Sequence, residues 1–294
     1  MPDLLSRTQI ARLGDELRSH QVTPESEWWP IYEAYLNRCE VIREGIQRRV
    51  EKCLEGQGLL ISGRTKTRDT LREKLLRNST IKLGSIDDVI GIRVVGDLTL
   101  LNQDYVRVLL EREFSTVHKV KDRRANPVSG YRALHLIIKA EEMHVEIQIR
   151  TLLQSQWADL FERTADVWGR QIRYGLPPNS NSKEIQMYRE GMILKMIQLS
   201  LETISAVEGY YALPTAYQLD VASTKFQPQM PTGKQFGLMS KKSQGTFLRL
   251  KMQVNKLERS EQIRKVLEPQ VKVAVGDLER NIDEILAEIA QEVK

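Results

Sequence analysis

One stretch near the middle of the chain alternates strictly between apolar and polar side chains. Between residues 143 and 150 the apolar residues Val145, Ile147 and Ile149 alternate with the polar residues Glu146, Gln148 and Arg150. A period of two indicates a strand with one apolar and one polar face. An extended run over 131–140 precedes it, separated by the polar pair Glu141-Glu142, so a β-hairpin is predicted. The chain must therefore contain a sheet, one face of which carries an acid, an amide and a base.

Further strands and helices are predicted on both sides of this hairpin. Short apolar runs predict strands near 59–62, 89–95 and 114–121. Helical periodicity predicts helices over 1–23, from Thr23-Pro24 to about 55, in the second half of 62–77, and over 98–113, 150–168, 182–207 and 276–293. Residues 208–254 are rich in proline and glycine and are predicted to be irregular. The expected fold class is α+β, a mixed β-sheet flanked by helices with a helical and irregular C-terminal extension.

Charge and hydropathy narrow the class of protein. The net charge is +5, and 28% of the residues are charged. No apolar run approaches the roughly 18 residues that a membrane-spanning helix needs, so no membrane partner is expected. The segment from Lys225 to Lys272 holds 11 basic and 3 acidic residues, a net of 11 − 3 = +8. It is interpreted either as a surface for tRNA, a ribosome or an acidic partner, or as a solvated basic surface. Only two cysteines, Cys39 and Cys53, are present, which favours reduced thiols and a cytoplasmic location.

Acids on two predicted strands suggest a shared site. Asp88 stands at the entrance of the strand near 89–95, and Glu146 lies on the polar face of the hairpin. Cations accompany them: Arg64, Lys66 and Arg68 at a strand-to-helix junction, and Arg93 within an apolar strand. Paired carboxylates suit Mg²⁺, and cations suit a polyphosphate. These residues point to Mg²⁺-dependent nucleotidyl or phosphoryl transfer, although a solvated basic loop and a salt bridge from Arg93 across the sheet remain open.

Four motifs, in order, resemble the synthetase domain of the RelA/SpoT family. They are Gly63-Arg64-x-Lys66, then Asp88 followed five residues later by Arg93, then Lys121-Asp122 with Pro127, Gly130, Tyr131 and His135, and finally Glu146-x-Gln148-x-Arg150. The resemblance covers roughly residues 25–175. It implies a nucleotidyltransferase-like synthetase fold, here placed in a domain over 24–178 between an N-terminal helical segment (1–23) and a helical, basic extension (179–294). No His-Asp dipeptide occurs, so a single-domain member without a hydrolase domain is expected.

The resemblance also implies an activity and roles for individual residues. Family members transfer the β,γ-pyrophosphate of ATP to the ribose 3′-hydroxyl of GDP or GTP. By resemblance, ATP is bound by Arg64 and Arg93 around the adenine and by Lys66 and Lys74 at the phosphates. Asp88 and Glu146 are the catalytic pair and the Mg²⁺ ligands, and Glu146 shares the metal or takes the hydroxyl proton. The acceptor is bound by Lys121, Tyr131 (stacked on guanine), His135, Gln148 and Arg150.

Two departures from the family pattern leave the identity of the acceptor undecided. Arg123 stands where the family usually has an aromatic residue, and the sequence from Asp159 to Arg163 replaces a common Glu-His pair. Both are expected on the acceptor side. The alternatives are a toxic relative that acts on the tRNA 3′ end or on adenosine nucleotides, and a catalytically silent nucleotide-binding protein. Small family members often assemble, so a homo-oligomer is a further expectation.

Overall fold

The structure, a computed structural model, describes residues 5–19, 22–212 and 241–292. In the last range it describes the side chains from residue 262 onward, apart from 279 and 292. The chain forms two compact units that divide between Ser200 and Leu201. The finer domain boundaries expected at residues 23 and 178 stay predictions.

A mixed sheet of five strands lies in the first unit. The strands are β1 (Leu60–Thr65), β2 (Ile90–Gly96), β3 (Val117–Asp122), β4 (Leu134–Ala140) and β5 (Met143–Thr151). Their spatial order is β1-β2-β5-β4-β3. Strands β2 and β5 run parallel and every other neighbouring pair is antiparallel. The predicted hairpin is confirmed as β4 and β5, which pair from Leu134↔Ile149 to Ala140↔Met143 around Glu141 and Glu142.

Helices flank the sheet, which confirms the predicted fold class. In the first unit they are α1 (Arg7–Ser19), α2 (Trp29–Cys53), α3 (Arg68–Arg77), α4 (Leu100–Glu113), α5 (Leu152–Trp168) and α6 (Lys183–Gln198). A π-helical stretch, Leu199–Ile204, follows α6, and the second unit continues with α7 (Ser205–Tyr211) and α8 (Lys241–Glu292). Short 3₁₀ turns occur at Leu83–Ser85 and Arg170–Tyr174.

The apolar face of the sheet packs against α2 and α4. Val145, Ile147 and Ile149 of β5 are fully buried there, together with apolar side chains of β2, β4 and these two helices. Removing this much apolar surface from water is the main stabilising contribution in a fold of this kind. Trp28 and Trp29, partly buried, pack against the same core.

Two predictions about helix limits were wrong. The long second helix begins at Trp29 and not at Thr23, because residues 23–26 close a turn in which the Ser26 N–H donates to the Thr23 carbonyl. Pro30 lies in the first helical turn, where its missing N–H leaves no bond unmade. Residues 241–254, predicted to be irregular, belong to α8. Gly245 is the only glycine between residues 241 and 254, and a glycine inside a helix lowers the stability of that helix by about 1 kcal/mol relative to alanine. Residues 213–240 of the predicted irregular stretch lie outside the described residues.

Gly130, just before the hairpin, has a conformation that a larger residue would not tolerate. Its φ is +82°, and a Cβ there would lie 2.7 Å from Cζ2 of Trp157 and 3.2 Å from the backbone of Ile197. We expect Gly130→Ala to lower the free energy of unfolding by about 2–4 kcal/mol, because backbone strain and overpacking add. Urea denaturation measures this change.

Gly45 provides the control for that substitution. It lies inside α2, and a Cβ there would meet no atom within 4 Å. Gly45→Ala is therefore expected to raise the free energy of unfolding by up to about 1 kcal/mol, because alanine favours a helix interior. Equal effects of the two substitutions would contradict the close packing described at Gly130.

Candidate active site

A row of polar side chains crosses the second face of the sheet. Residues that pair directly across neighbouring strands share a face. In this register Ser62 pairs with Arg93, Arg93 with Gln148, Gln148 with His135, and His135 with Lys121. All five strands therefore contribute one polar residue to a continuous row. Glu146 and Arg150 lie on the same face, two residues either side of Gln148 on β5.

Four of these side chains and Tyr131 form a closed set of hydrogen bonds, here called the Glu146 network. His135 Nδ1 lies 2.9 Å from Oε1 of Glu146, and Gln148 Nε2 donates to Oε2 at 2.7 Å. The Tyr131 hydroxyl lies 2.9 Å from His135 Nε2. Arg150 Nη2 completes the set by donating to the Tyr131 hydroxyl at 3.0 Å and to Oε1 of Gln148 at 2.7 Å.

The direction of every bond in the Glu146 network is consistent. A guanidinium can only donate and an ionised carboxylate can only accept. Two hydrogen-bond paths therefore run from Arg150 to Glu146, one through Gln148 and one through Tyr131 and His135. All bonds are satisfied when the Tyr131 hydroxyl donates to Nε2 and His135 carries a proton on Nδ1. The network thus fixes the orientation of Glu146, which is 6% exposed.

Glu146 stays ionised although it is buried. Burial alone would raise the pKa of this carboxyl group. The hydrogen bonds from His135 and Gln148 and the charge of Lys121 outweigh burial and lower the pKa of Glu146 to about 2. A buried carboxylate that is charged at neutral pH can bind a cation or accept a proton.

This pKa predicts how stability depends on pH. Because the folded-state pKa lies below the ordinary value of 4.5, Glu146 contributes stability above about pH 4.5, and this contribution is lost as the pH falls toward 2. Its size is on the order of 3 kcal/mol, since each pH unit between the two pKa values corresponds to about 1.4 kcal/mol. Urea unfolding without added metal, repeated at several pH values, measures it. Glu146→Gln should lack this part of the decline, and an identical decline in both proteins would contradict the description.

Asp88 lies between two lysines just before β2. Lys74 Nζ of α3 is 2.5 Å from Oδ1, and Lys66 Nζ is 3.3 Å from Oδ2. The backbone N–H of Lys66 donates to the Val89 carbonyl at 2.8 Å, which holds the end of β1 beside the start of β2. The structure therefore brings together three predicted site residues that are 8 to 22 positions apart in the sequence.

Asp87 is a second acid at this end of the sheet, and it was not among the predicted site residues. Its Oδ2 lies 2.7 Å from Lys121 Nζ, and its Oδ1 lies 3.0 Å from Nδ1 of His144. Although burial opposes ionisation, Lys121 lowers the pKa of Asp87. The alternation of β5 already puts His144 on the polar face beside Glu146, and that signal could have drawn attention to this corner.

Arg64 and Arg93 lie on the same face and share an acidic partner from α5. Arg93 Nη2 donates to both oxygens of Glu162 at 3.0 and 3.2 Å, and Arg64 Nη2 is 3.8 Å from Oε1 of Glu162. Arg93 also lies 3.5 Å from Asp159. Its ion pairs therefore reach a helix above the sheet, whereas the sequence offered a salt bridge across the sheet. Glu162 was expected near the acceptor residues, but it lies against the two predicted adenine-binding arginines.

A depression opens beside these arginines. It is lined by Ser62, Gly63, Arg64, Gly91, Arg93 and Gln148. Gln148 also belongs to the Glu146 network, so the predicted donor residues and the predicted acceptor residues meet at this point. The eleven predicted site residues thus lie on or beside one face of the sheet. They form one group at Arg64 and Arg93, a second group around Glu146, and a cluster of Asp88 with Lys66 and Lys74. Their individual roles stay predictions.

The predicted Mg²⁺ ligands are compatible with the ion. Among the described residues no group of three or more His, Cys, Asp or Glu side chains forms a metal site. Mg²⁺ is commonly held by one or two carboxylates together with substrate phosphates and water, so two carboxylates suffice. The lysines at Asp88 can turn to the phosphates of a nucleotide. Asp88 and Glu146 have the oxygen donors that this ion prefers.

Known proteins resemble this chain over the same region. Residues 63–164 match the family model described as a region found in RelA / SpoT proteins. This segment therefore resembles the RelA/SpoT family, and it contains the Glu146 network and Asp88. Uncharacterized protein Rv1366 of Mycobacterium tuberculosis is 36% identical over 175 residues, which cover 59% of this chain and 63% of that protein.

Two further relatives carry functional names. GTP pyrophosphokinase YwaC of Bacillus subtilis is 37% identical over 84 residues, covering 26% of this chain and 40% of that protein. The crystal structure of small alarmone synthetase 1 from Bacillus subtilis, bound to its product pppGpp, has 21% sequence identity and a TM-score of 0.45, covering 62% of this chain and 99% of that one. The chain spans less than two thirds of the length of the curated relatives it matches. In the described part of the chain, no helix is both long and apolar enough to cross a membrane.

Proposed function

We propose that this protein is a pyrophosphokinase that transfers the β,γ-pyrophosphate of ATP to the 3′-hydroxyl of GDP or GTP, producing (p)ppGpp. One observation carries the proposal: a buried, ionised Glu146 lies within a fixed hydrogen-bond network. This network lies in the segment that matches the RelA/SpoT family model. A silent binding protein would have no need for a buried charge oriented in this way, because burying a carboxylate is unfavourable unless it is fully hydrogen-bonded.

The donor nucleotide is assigned to the group nearest β1 and α3. The depression between Arg64 and Arg93 accepts the adenine, because guanidinium groups stack well on aromatic rings. Lys66 and Lys74 already bind the carboxylate of Asp88. Their ammonium groups can exchange that carboxylate for phosphate oxygens, and the exchange leaves Asp88 free to hold Mg²⁺.

The acceptor is assigned to the group nearest β3 and β4. Tyr131 stacks on the guanine, and His135, Gln148 and Arg150 line the same side of the site. Lys121 contributes positive charge between Asp87 and Glu146. Because these residues are held on strands of one sheet, the two substrates are brought together with little further ordering, which is a large part of catalysis in reactions of this type.

In the reaction, the acceptor 3′-oxygen forms a bond to the β-phosphorus of ATP. The bond between that phosphorus and the oxygen bridging to the α-phosphate breaks, and AMP leaves with the electron pair. Asp88 and Glu146 would hold Mg²⁺, which would supply positive charge at the phosphates. Glu146 is also assigned to accept the hydroxyl proton. Lys66 and Lys74 stabilise the negative charge of the donor phosphates throughout.

A transfer assay across several acceptors tests the proposal. The protein is incubated with Mg²⁺ and γ-³²P-ATP, and with GDP, GTP, AMP, ADP or bulk tRNA as acceptor. Label on GDP or GTP is the expected result. Label only on an adenosine nucleotide or only on tRNA would replace the proposed acceptor with one of the alternatives, and the tRNA result would give the segment 225–272 a role in binding RNA. Nucleotide binding without transfer to any acceptor would contradict the proposal.

A further inference from the structure

Glu162 lies between the two arginines that line the depression. It comes from α5, above the sheet, and its side chain is 31% exposed. Its carboxylate accepts both hydrogen bonds from Arg93, whereas Arg64 lies farther away at 3.8 Å. Asp159 lies one turn earlier on α5 and is within 3.5 Å of Arg93 only. Glu162 can therefore contact a ligand that binds against these two arginines.

Charge explains why an acid is stable at this position. Arg64 and Arg93 lie on adjacent antiparallel strands and on one face, so their like charges repel each other. Burial opposes the charged form of Glu162, but the charges of Arg93 and Arg64 outweigh it and lower the pKa of this carboxyl group. An ionised carboxylate therefore lies against both arginines of the depression at neutral pH, and it can accept hydrogen bonds but not donate them.

The depression itself suits a flat ring. Gly91 lies on the same face as the arginines and contributes no side chain to the lining, and Gly63 lines the depression through its backbone, so backbone is left open beside the arginines. A planar base stacked on the guanidinium groups presents its edge, and not its face, to a carboxylate at the border. The edge group that a carboxylate favours is an N–H donor, whereas a lone pair there would be repelled.

We infer that Glu162 selects the base of the donor nucleotide by accepting a hydrogen bond from the N6 amine of adenine. The inference rests on the proposed function for the identity of the donor. Glu162 is then a specificity-determining residue for ATP and also the counter-ion of the two arginines. A base without an amine at this position leaves the carboxylate without its ligand partner.

Equilibrium binding separates recognition of the amine from the counter-ion effect. ATP and purine riboside 5′-triphosphate, which lacks only the amine, are titrated by calorimetry with Mg²⁺ and without acceptor. The wild type is expected to bind ATP at least about 10-fold more tightly, as for one hydrogen bond to a charged group. In Glu162→Ala the two ligands should bind with equal affinity, even if the substitution weakens or strengthens the binding of both. Asp159→Asn is the matched control, since it removes an acid beside Arg93 and should keep the preference.

Several results would overturn the inference. Equal binding of the two ligands by the wild type would do so. An unchanged preference in Glu162→Ala would reduce Glu162 to a counter-ion. Glu162→Gln keeps the shape and one acceptor oxygen, so a thermal unfolding midpoint matching the wild type, with a weakened preference, supports the inference even if the alanine variant is unstable. If the wild type prefers ATP to purine riboside 5′-triphosphate but transfers no pyrophosphate, the proposed function fails and the inference stands. If the wild type binds no ATP, both fail.

Discussion

Glu146→Gln is expected to lower the rate of pyrophosphate transfer by about 100-fold or more while nucleotide binding persists. The amide removes the negative charge that is proposed to bind Mg²⁺ or to take the proton, and loss of one key electrostatic group typically costs 10²–10³-fold. It also places an NH₂ group against donors of the Glu146 network, where His135 and Gln148 both need an acceptor. Initial rates with saturating ATP and GDP measure the effect.

Glu142→Gln is the matched control, because it makes the same chemical change four residues earlier on the hairpin. Glu142 is exposed, and among the described residues its side chain hydrogen-bonds Arg7, on α1, and no other. Such a surface ion pair contributes little to stability, so this variant should transfer pyrophosphate at the wild-type rate. A Glu146→Gln variant that retains more than about a tenth of the wild-type rate would remove Glu146 from the chemistry.

Asp88→Asn is expected to lower the transfer rate by a similar factor, on the order of 100-fold, and to raise the Mg²⁺ concentration needed for half-maximal rate. The substitution removes one of the two carboxylates proposed to hold the metal and leaves Lys66 and Lys74 without their shared partner. A Mg²⁺ titration of the transfer rate distinguishes a metal ligand from a residue that only positions the lysines, because the second role would leave the Mg²⁺ dependence unchanged.

Asp97→Asn serves as the control for that titration. Asp97 is an exposed carboxylate just past the opposite end of β2 from Asp88. Its substitution changes the net charge equally, so it should leave both the rate and the Mg²⁺ dependence as in the wild type. An effect shared by both variants would point to overall charge and away from a metal at Asp88.

The sequence predicted which residues share a face of the sheet. Alternation placed Glu146, Gln148 and Arg150 on one side of β5, and the hairpin register follows from the two-residue turn at Glu141 and Glu142. The mixed sheet and its flanking helices were predictable for the same reason, since periodicity reports burial directly. Asp88 at the entrance of an apolar run and Arg93 within it stood out from the residues alone, and the resemblance supplied their expected roles.

Contacts between distant elements could not be predicted. Whether Glu162 faces the acceptor or the arginines depends on how α5 crosses the sheet, and helical periodicity does not determine that angle. Likewise, adjacent acids could each have bonded any nearby lysine, yet Asp87 bonds Lys121 from β3 while Asp88 bonds Lys74 from α3. Closure of the Glu146 network through Tyr131 depends on the turn at Ser129 and Gly130, both with positive φ.

The most direct test of the central claim is the fate of the α-phosphate of the donor. The protein is incubated with α-³²P-ATP, GDP and Mg²⁺, and the labelled products are separated by chromatography. Pyrophosphate transfer predicts labelled AMP, formed in equal amount with an acceptor product that carries no label. Labelled ADP in place of AMP, or labelled AMP without any acceptor product, would show phosphoryl transfer or hydrolysis and would contradict the account.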